Sequence, residues 1–397
     1  MTSPASSEPG GLTDTSSANI FGSVGKLVGR FSDWITDKLI RRLADPAAQR
    51  FLTQNMLTRA TARRDARALY DICVGFSYSQ TLAVCVELDL FETLHQAPRE
   101  FPELLNSLQL PPDSLQTLLE AAVALKLLRR RHDGKYAVGR LGTAVLADPG
   151  IAAIVRHHEL LYQDLAQPLQ LLQSPLDSRM AAFWSYTQDD GLAKLDGEGA
   201  AAYSAVMEAT QVMVSNQVVG AVNLSGANSL LDVGCGTGTF ARGLMAKHPS
   251  LSVTLYDLPP VIELAKANLD ATAENNPHLR FEPGDFTAAT LPGGHEVISL
   301  IRVLHDQDDA RALELLKKAR AALTPGGKLI VAETLVEDGE EARVGGAYFG
   351  WFLLAMGRGR ARKRRDVDAL LKAAGFSEIR ENSTDLPMVV RVITAKF

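Results

Sequence analysis

Leu230-Leu231-Asp232-Val233-Gly234-Cys235-Gly236-Thr237-Gly238-Thr239 decides the fold of this chain. An aliphatic strand runs into three glycines spaced by one residue, and a helix-forming run follows over 239–247. Strand, glycine turn and helix together open a parallel α/β sheet. The alternation continues outward from that unit. Strands are expected over 229–233, 252–256, 279–281, 297–303 and 328–331, and helices over 239–247, 261–269 and 309–323. Beyond Gly375, runs at 378–380 and 388–395 read as a closing pair at one sheet edge. Residues 223–397 are thus expected to form a mostly parallel, doubly wound sheet of the α/β class.

Upstream, 68–150 reads as a compact helical domain. One long helix is expected over 68–95, a short one opens at Pro102, and a third starts at Pro111. Arg129 to Val138 reads as strand–turn–strand around Asp133 and Gly134. Helix–turn–helix followed by a hairpin is a winged-helix pattern. Such folds can bind DNA, yet the second helix of the pair, 114–128, carries Glu120 and one lysine and little to reach phosphates or bases. No nucleic-acid partner is expected, and dimerisation suits so apolar a domain better. Residues 151–222 read as connecting helices.

Residues 20–67 form a basic extension. Leu27, Phe31, Trp34, Ile35 and Leu39 fall at helical spacing beside Arg30, Lys38, Arg41 and Arg42. Such a helix either packs on its own protein or lies on an anionic membrane surface. Residues 1–19, rich in Ser, Thr, Gly and Pro, read as a disordered leader.

The 397 residues are 46% hydrophobic and 22% charged, ordinary for a globular protein with a full core. A formal charge of −5 gives no global basic field. Cys73, Cys85 and Cys235 lie too far apart for metal-ligand spacing, so neither a zinc site nor a disulfide framework is expected. No apolar run reaches the roughly 18 residues of a membrane span. A cytoplasmic location, with contact at the inner membrane as an option, fits these features.

Glycines let the backbone approach a ligand and adopt positive φ. The turn sits at a strand's carboxyl end, where open α/β sheets bind ligands. Asp257 ends the next strand, about 20 residues on, as a carboxylate gripping ribose would. A nicotinamide-binding domain shares these two features, but in its G-x-G-x-x-G fingerprint the third glycine falls one residue later than Gly238. Gly284-Asp285-Phe286 adds an acid and a ring suited to adenine's amino group and face. The set favours S-adenosylmethionine, with S-adenosylhomocysteine as product. Ile301-Arg302-Val303-Leu304-His305-Asp306 follows the fourth strand and aims His305 at the same crevice. A neutral imidazole with an ordinary pKa can take a hydroxyl proton. Glu333, ending the adjacent strand, could orient it, since neighbouring strands lie about 4.8 Å apart. Asp306 reads as structural, and Asp306 or Asp309 as the cap of the next helix. Tyr348 to Gly357 is apolar almost all round and reads equally as a core helix or a substrate lid.

With these residues the chain resembles the plant-type and bacterial small-molecule O-methyltransferases over roughly 68–397. The resemblance implies a winged-helix-like dimerisation domain followed by a Rossmann-like, seven-stranded catalytic domain, assembled as a homodimer. It implies that Asp232, Gly234, Gly236, Gly238, Asp257, Leu258, Asp285, Phe286 and Arg302 hold the cofactor. It implies His305 as base, Glu333 as its orienter, and Tyr203 and Met207 in the pocket. More narrowly, Ala66 to Asp71, Phe76 to Gln80, His157 to Tyr162, Arg302 to Asp306 and Tyr348 to Gly357 resemble the hydroxyneurosporene (demethylspheroidene) O-methyltransferases of carotenoid synthesis. That implies a hydrophobic substrate, the tertiary hydroxyl of a 1-hydroxy carotenoid, near His158, Tyr162, Phe349, Phe352 and Met356. Two departures stand out. The plant family has a second glutamate near Arg364, so that carboxylate is missing or replaced by Asp366. The family lysine near Ile301 is also absent, with Arg302 as its substitute. The rival readings are a methyltransferase for a bacteriochlorophyll precursor or an aromatic polyketide, a cofactor binder without methyl transfer, and a winged-helix regulator.

Overall fold

The computed structural model describes residues 33–34, 36–183, 211–273, 276–336, 340–357 and 359–397, with backbone alone at 270–273 and 340–344. The expected leader, Leu27, Arg30, Phe31, Ile35, Tyr203 and Met207 lie outside the described residues. Contacts divide the chain after Gln80 into two units.

In the first unit a helix covers 36–43 and a second covers Pro46–Gln54, opened by Asp45, whose side chain accepts from Ala47 N. Among the described residues, Pro46–Gln54 buries no side chain. The helix Arg59–Glu87 follows. It is long and apolar enough to cross a bilayer by length and composition alone. This corrects the expectation that no apolar run is long enough to span: Asp71, Ser77, Ser79 and Gln80 interrupt the apolar residues along the sequence, but the helix as a whole stays apolar.

In the second unit the expected 68–95 helix is two. Arg59–Glu87 stops, Asp89 adopts a left-handed φ of 48°, and Leu90–Gln96 starts anew. Apolar spacing continues through Leu88 and Leu90, so periodicity could not reveal the break, while Asp tolerates that backbone region better than most residues. Phe101–Leu108 and Pro112–Ala124 complete the helices. β1 (Leu128–Arg130) pairs antiparallel with β2 (Tyr136–Val138) as the wing. Phe91, Leu104, Leu115 and Leu119 are fully buried in this domain's own core.

β3 (Ser229–Val233), β4 (Ser252–Asp257), β5 (Leu279–Pro283), β6 (His295–Ile301), β7 (Leu323–Glu333), β8 (Ser377–Asn382) and β9 (Arg391–Lys396) form one sheet. Its order is β5-β4-β3-β6-β7-β9-β8, parallel except where β9 pairs with β7 and β8. Alternate residues feed two cores. Leu231, Val233, Ile298 and Leu300 pack toward Leu315, Leu316 and Leu371, whereas Leu230, Val297 and Ile301 pack toward Val218, Phe240 and Ile262. Connections from β3 lead to β4 on one side, and β6 continues on the other. Strand order therefore reverses between β3 and β6, which opens a crevice at their carboxyl ends.

Candidate active site

The glycine turn leaves β3 at that crevice. Gly234, Gly236 and Gly238 all have positive φ, of 71°, 56° and 77°. Their surroundings differ. A Cβ on Gly234 would lie 2.7 Å from Val303 Cγ2, and one on Gly238 would lie 2.6 Å from Leu269 Cδ1. A Cβ on Gly236 would meet nothing within 4 Å. Two glycines thus let the turn pack against its own protein, and the middle one presents bare backbone to open space that a ligand can fill.

Asp257 holds this turn in place. One carboxylate oxygen accepts from Gly236 N at 2.9 Å, and the other accepts from Leu258 N at 2.8 Å. Burial pushes its pKa up to about 6 against those two bonds. Each oxygen retains a second lone pair for a sugar hydroxyl. Asp232 is almost fully buried; its Oδ1 accepts from Ser299 Oγ at 2.7 Å, while Oδ2 has no hydrogen-bond partner among the described residues. Burial pushes its pKa up to about 7, Ser299 opposes the shift, and Asp257 adds to it. An orphaned acceptor beneath the glycine turn fits a ligand carrying an ammonium group. At the end of β5, Asp285 Oδ1 takes the backbone and hydroxyl of Thr287, both at 2.7 Å, and Phe286 packs half-buried on the sheet core. These features suit S-adenosylmethionine.

Across the crevice, β6 ends in a short turn, Leu304–Asp306. Glu333 closes β7 beside it and makes three contacts there. Oε1 accepts from Val303 N at 3.0 Å and Leu304 N at 2.7 Å, and Oε2 lies 2.5 Å from His305 Nδ1. One carboxylate therefore shapes the loop and orients the ring. Asp306 is more than a structural residue: its Oδ1 lies 3.2 Å from His305 Nε2, without making a hydrogen bond. Burial disfavours a charged ring, but Asp306 and Glu333 outweigh it and push the His305 pKa up to about 10. The expected ordinary pKa is thus corrected, because two carboxylates flank one buried imidazole. The cap of the next helix is also corrected. Asp308 accepts from Arg311 N at 2.8 Å, while Asp309 pairs with Arg360 and Arg362.

Sequence reasoning missed what braces the loop from outside. Arg362 is buried; its guanidinium donates to Leu304 O, to Gln307 O at 2.6 Å and to Asp309 at 3.0 Å. Arg360 N donates to His305 O at 2.8 Å, and Gly359, at φ 93°, passes so close to that carbonyl that a Cβ would strike it. The Gly357–Gly359 spacing was the available signal. Asp366, a candidate for the second carboxylate, accepts from Lys363 N and caps the helix Arg364–Ala373. Arg364 itself pairs with Asp368 at 2.7 Å and Glu381 at 2.6 Å.

The helix Glu340–Ala355 supplies an aromatic wall. Phe349 meets the His305 ring edge-on at 5.3 Å and stacks on Phe352 at 5.8 Å. Phe352 reaches His157 at 6.0 Å, and Met356 is buried in the same cluster. His158 Nε2 lies 2.8 Å from Tyr348 Oη, and its ring lies 6.0 Å from Tyr162. Arg302, expected at the cofactor, has a left-handed φ of 59°. Its charge acts on this wall: burial, His158 and Arg302 together hold His157 down at about 4.

A family model for the O-methyltransferase domain matches residues 170–377, and one for the O-methyltransferase dimerisation domain matches 70–148. The chain belongs to the O-methyltransferase family. It is an S-adenosylmethionine-dependent methyltransferase that carries the family's dimerisation domain, which supports a homodimer. This methyltransferase is 37% identical to demethylspheroidene O-methyltransferase of Rhodobacter capsulatus over 341 residues, 86% of this chain and 84% of that one. It is also 37% identical to the enzyme of the same name from Cereibacter sphaeroides over 337 residues, 85% of this chain and 88% of that one. Among solved structures, apo SibL, an S-adenosylmethionine-dependent methyltransferase, matches with a TM-score of 0.70 and 25% identity, over 83% of this chain and 98% of that one.

Proposed function

We propose that this methyltransferase acts on the tertiary hydroxyl of a 1-hydroxy carotenoid, with His305 as general base. The observation that carries the base assignment is the 2.5 Å contact between His305 Nδ1 and Glu333. It fixes the ring so that Nε2 is the nitrogen left to exchange a proton. Bound S-adenosylmethionine supplies an electrophilic methyl group and departs as a neutral thioether. Gly236 gives it bare backbone, Asp257 a ribose acceptor, Asp232 an acceptor for its ammonium, and Asp285 with Phe286 an adenine bracket.

The chain's own contribution is positioning and proton transfer. Phe349 and Phe352 exclude water from the ring's side and favour an apolar acceptor. As the hydroxyl oxygen is methylated, its proton passes to His305 Nε2, and Glu333 and Asp306 stabilise the imidazolium. Alignment contributes about 7–11 kcal/mol and a positioned base about 3–5 kcal/mol, so positioning dominates.

The carotenoid assignment is supported by the two relatives named for demethylspheroidene and by the aromatic wall. It is tested by incubating purified protein with S-adenosylmethionine and a 1-hydroxy carotenoid, a chlorin or a phenol in turn. The expected product is the carotenoid methyl ether alone. Methylation of the phenol or chlorin with none of the carotenoid would overturn the substrate.

A further inference from the structure

The first unit carries a basic and apolar surface that holds none of the candidate site residues described above. Residues 33–67 hold eight Lys and Arg against four Asp, in a chain whose formal charge is −5. At 100° per residue, Leu39, Ile40 and Leu43 share one side of the helix 36–43, and Lys38, Arg41 and Arg42 share the other. Leu39 and Ile40 are 55% and 56% exposed. In Pro46–Gln54, Phe51 is 63% exposed, and Met56 and Leu57 beyond it are 82% and 91% exposed. Lys38 Nζ stands 4.2 Å from the Trp34 ring centroid, a pairing of cation and indole that suits a membrane interface.

We propose that residues 36–57 dock the protein on an anionic lipid surface. The apolar side chains enter the headgroup boundary, and Lys38, Arg41, Arg42 and Arg50 meet lipid phosphates. Charge complementarity favours lipid over a second copy of the chain, because two copies of so basic a surface repel. The dimerisation match, moreover, begins at residue 70, beyond this stretch. Docking of this kind is independent of which acceptor the active site takes.

Flotation of the full-length protein with vesicles tests it. Vesicles of phosphatidylglycerol and phosphatidylethanolamine are expected to carry the protein upward at about 0.1 M salt, and phosphatidylcholine vesicles about tenfold less. Two variants, Leu39→Glu with Phe51→Glu, and Lys38→Glu with Arg41→Glu and Arg42→Glu, should each lower flotation about tenfold. Light scattering should still report the wild-type oligomer for both, and methyl transfer in detergent should be unchanged. Three results would overturn the proposal: no flotation of the wild type, equal flotation of the variants, or conversion of the dimer to monomer by Leu39→Glu with Phe51→Glu. The last would assign the surface to a second copy.

Discussion

At the scale of single residues, the crevice depends on how few groups surround His305. Glu333 binds the ring through one oxygen and two loop amides through the other. Glu333→Gln keeps the shape but removes the charge. It is expected to lower kcat by about 10²-fold or more. It should also move the rise of rate with pH to lower pH, because one of the two carboxylates holding the ring pKa at about 10 is gone. For the wild type, the neutral fraction of Nε2 grows as pH approaches about 10, so the rate should climb through the alkaline range. A flat profile from about pH 6 to 10 would contradict this. The same shift affects stability with a defined sign. The charged ring stabilises the fold fully below its ordinary pKa of 6.5, and that contribution disappears as pH rises through about 10. His305 and Glu333 were legible in the sequence as strand-end residues. Asp306 as a second flanking charge was not, since its side-chain direction depends on the tight turn that Glu333 itself imposes.

Elements set which changes harm binding and which harm folding. Ala at Gly236 meets open space, so its cost is the positive φ alone, about 1 kcal/mol. Ala at Gly238 must also push into Leu269. Calorimetry should therefore show Gly236→Ala losing S-adenosylmethionine affinity with a small drop in Tm, and Gly238→Ala losing several degrees more. The reverse ranking would mean that the turn faces the other way. Arg362→Ala strips the brace from Leu304 O and Gln307 O and should cost about 2–3 kcal/mol of stability along with most of kcat. The glycine turn was readable because spacing alone specifies it. Arg362 was not, because it lies nearly 60 residues from the loop it holds, and only tertiary contact joins them. The Asp89 break was hidden for a related reason: apolar periodicity passes straight through it.

Across the whole molecule, one sheet with a strand-order reversal places the glycine turn and His305 beyond the ends of adjacent strands β3 and β6. That much followed from the alternation of strands and helices, and the antiparallel closing pair β8 and β9 followed from the β-rich tail after Gly375. What surrounds the crevice did not. The aromatic wall comes from a helix whose sequence suits core and lid alike; Leu353 and Ala355 are buried in the small core, and Phe349 lies against His305. Removal of residues 1–57 should leave methyl transfer in detergent and the dimer intact, as measured by light scattering, because the dimerisation domain lies beyond them.

The decisive measurement pairs methyl transfer with cofactor affinity in His305→Ala, using the 1-hydroxy carotenoid and S-adenosylmethionine. Turnover should fall by about 10²–10⁴ while the dissociation constant of S-adenosylhomocysteine stays within about threefold of wild type. Undiminished turnover, or loss of the two together, would contradict an imidazole that takes the hydroxyl proton beside an independently built cofactor cradle.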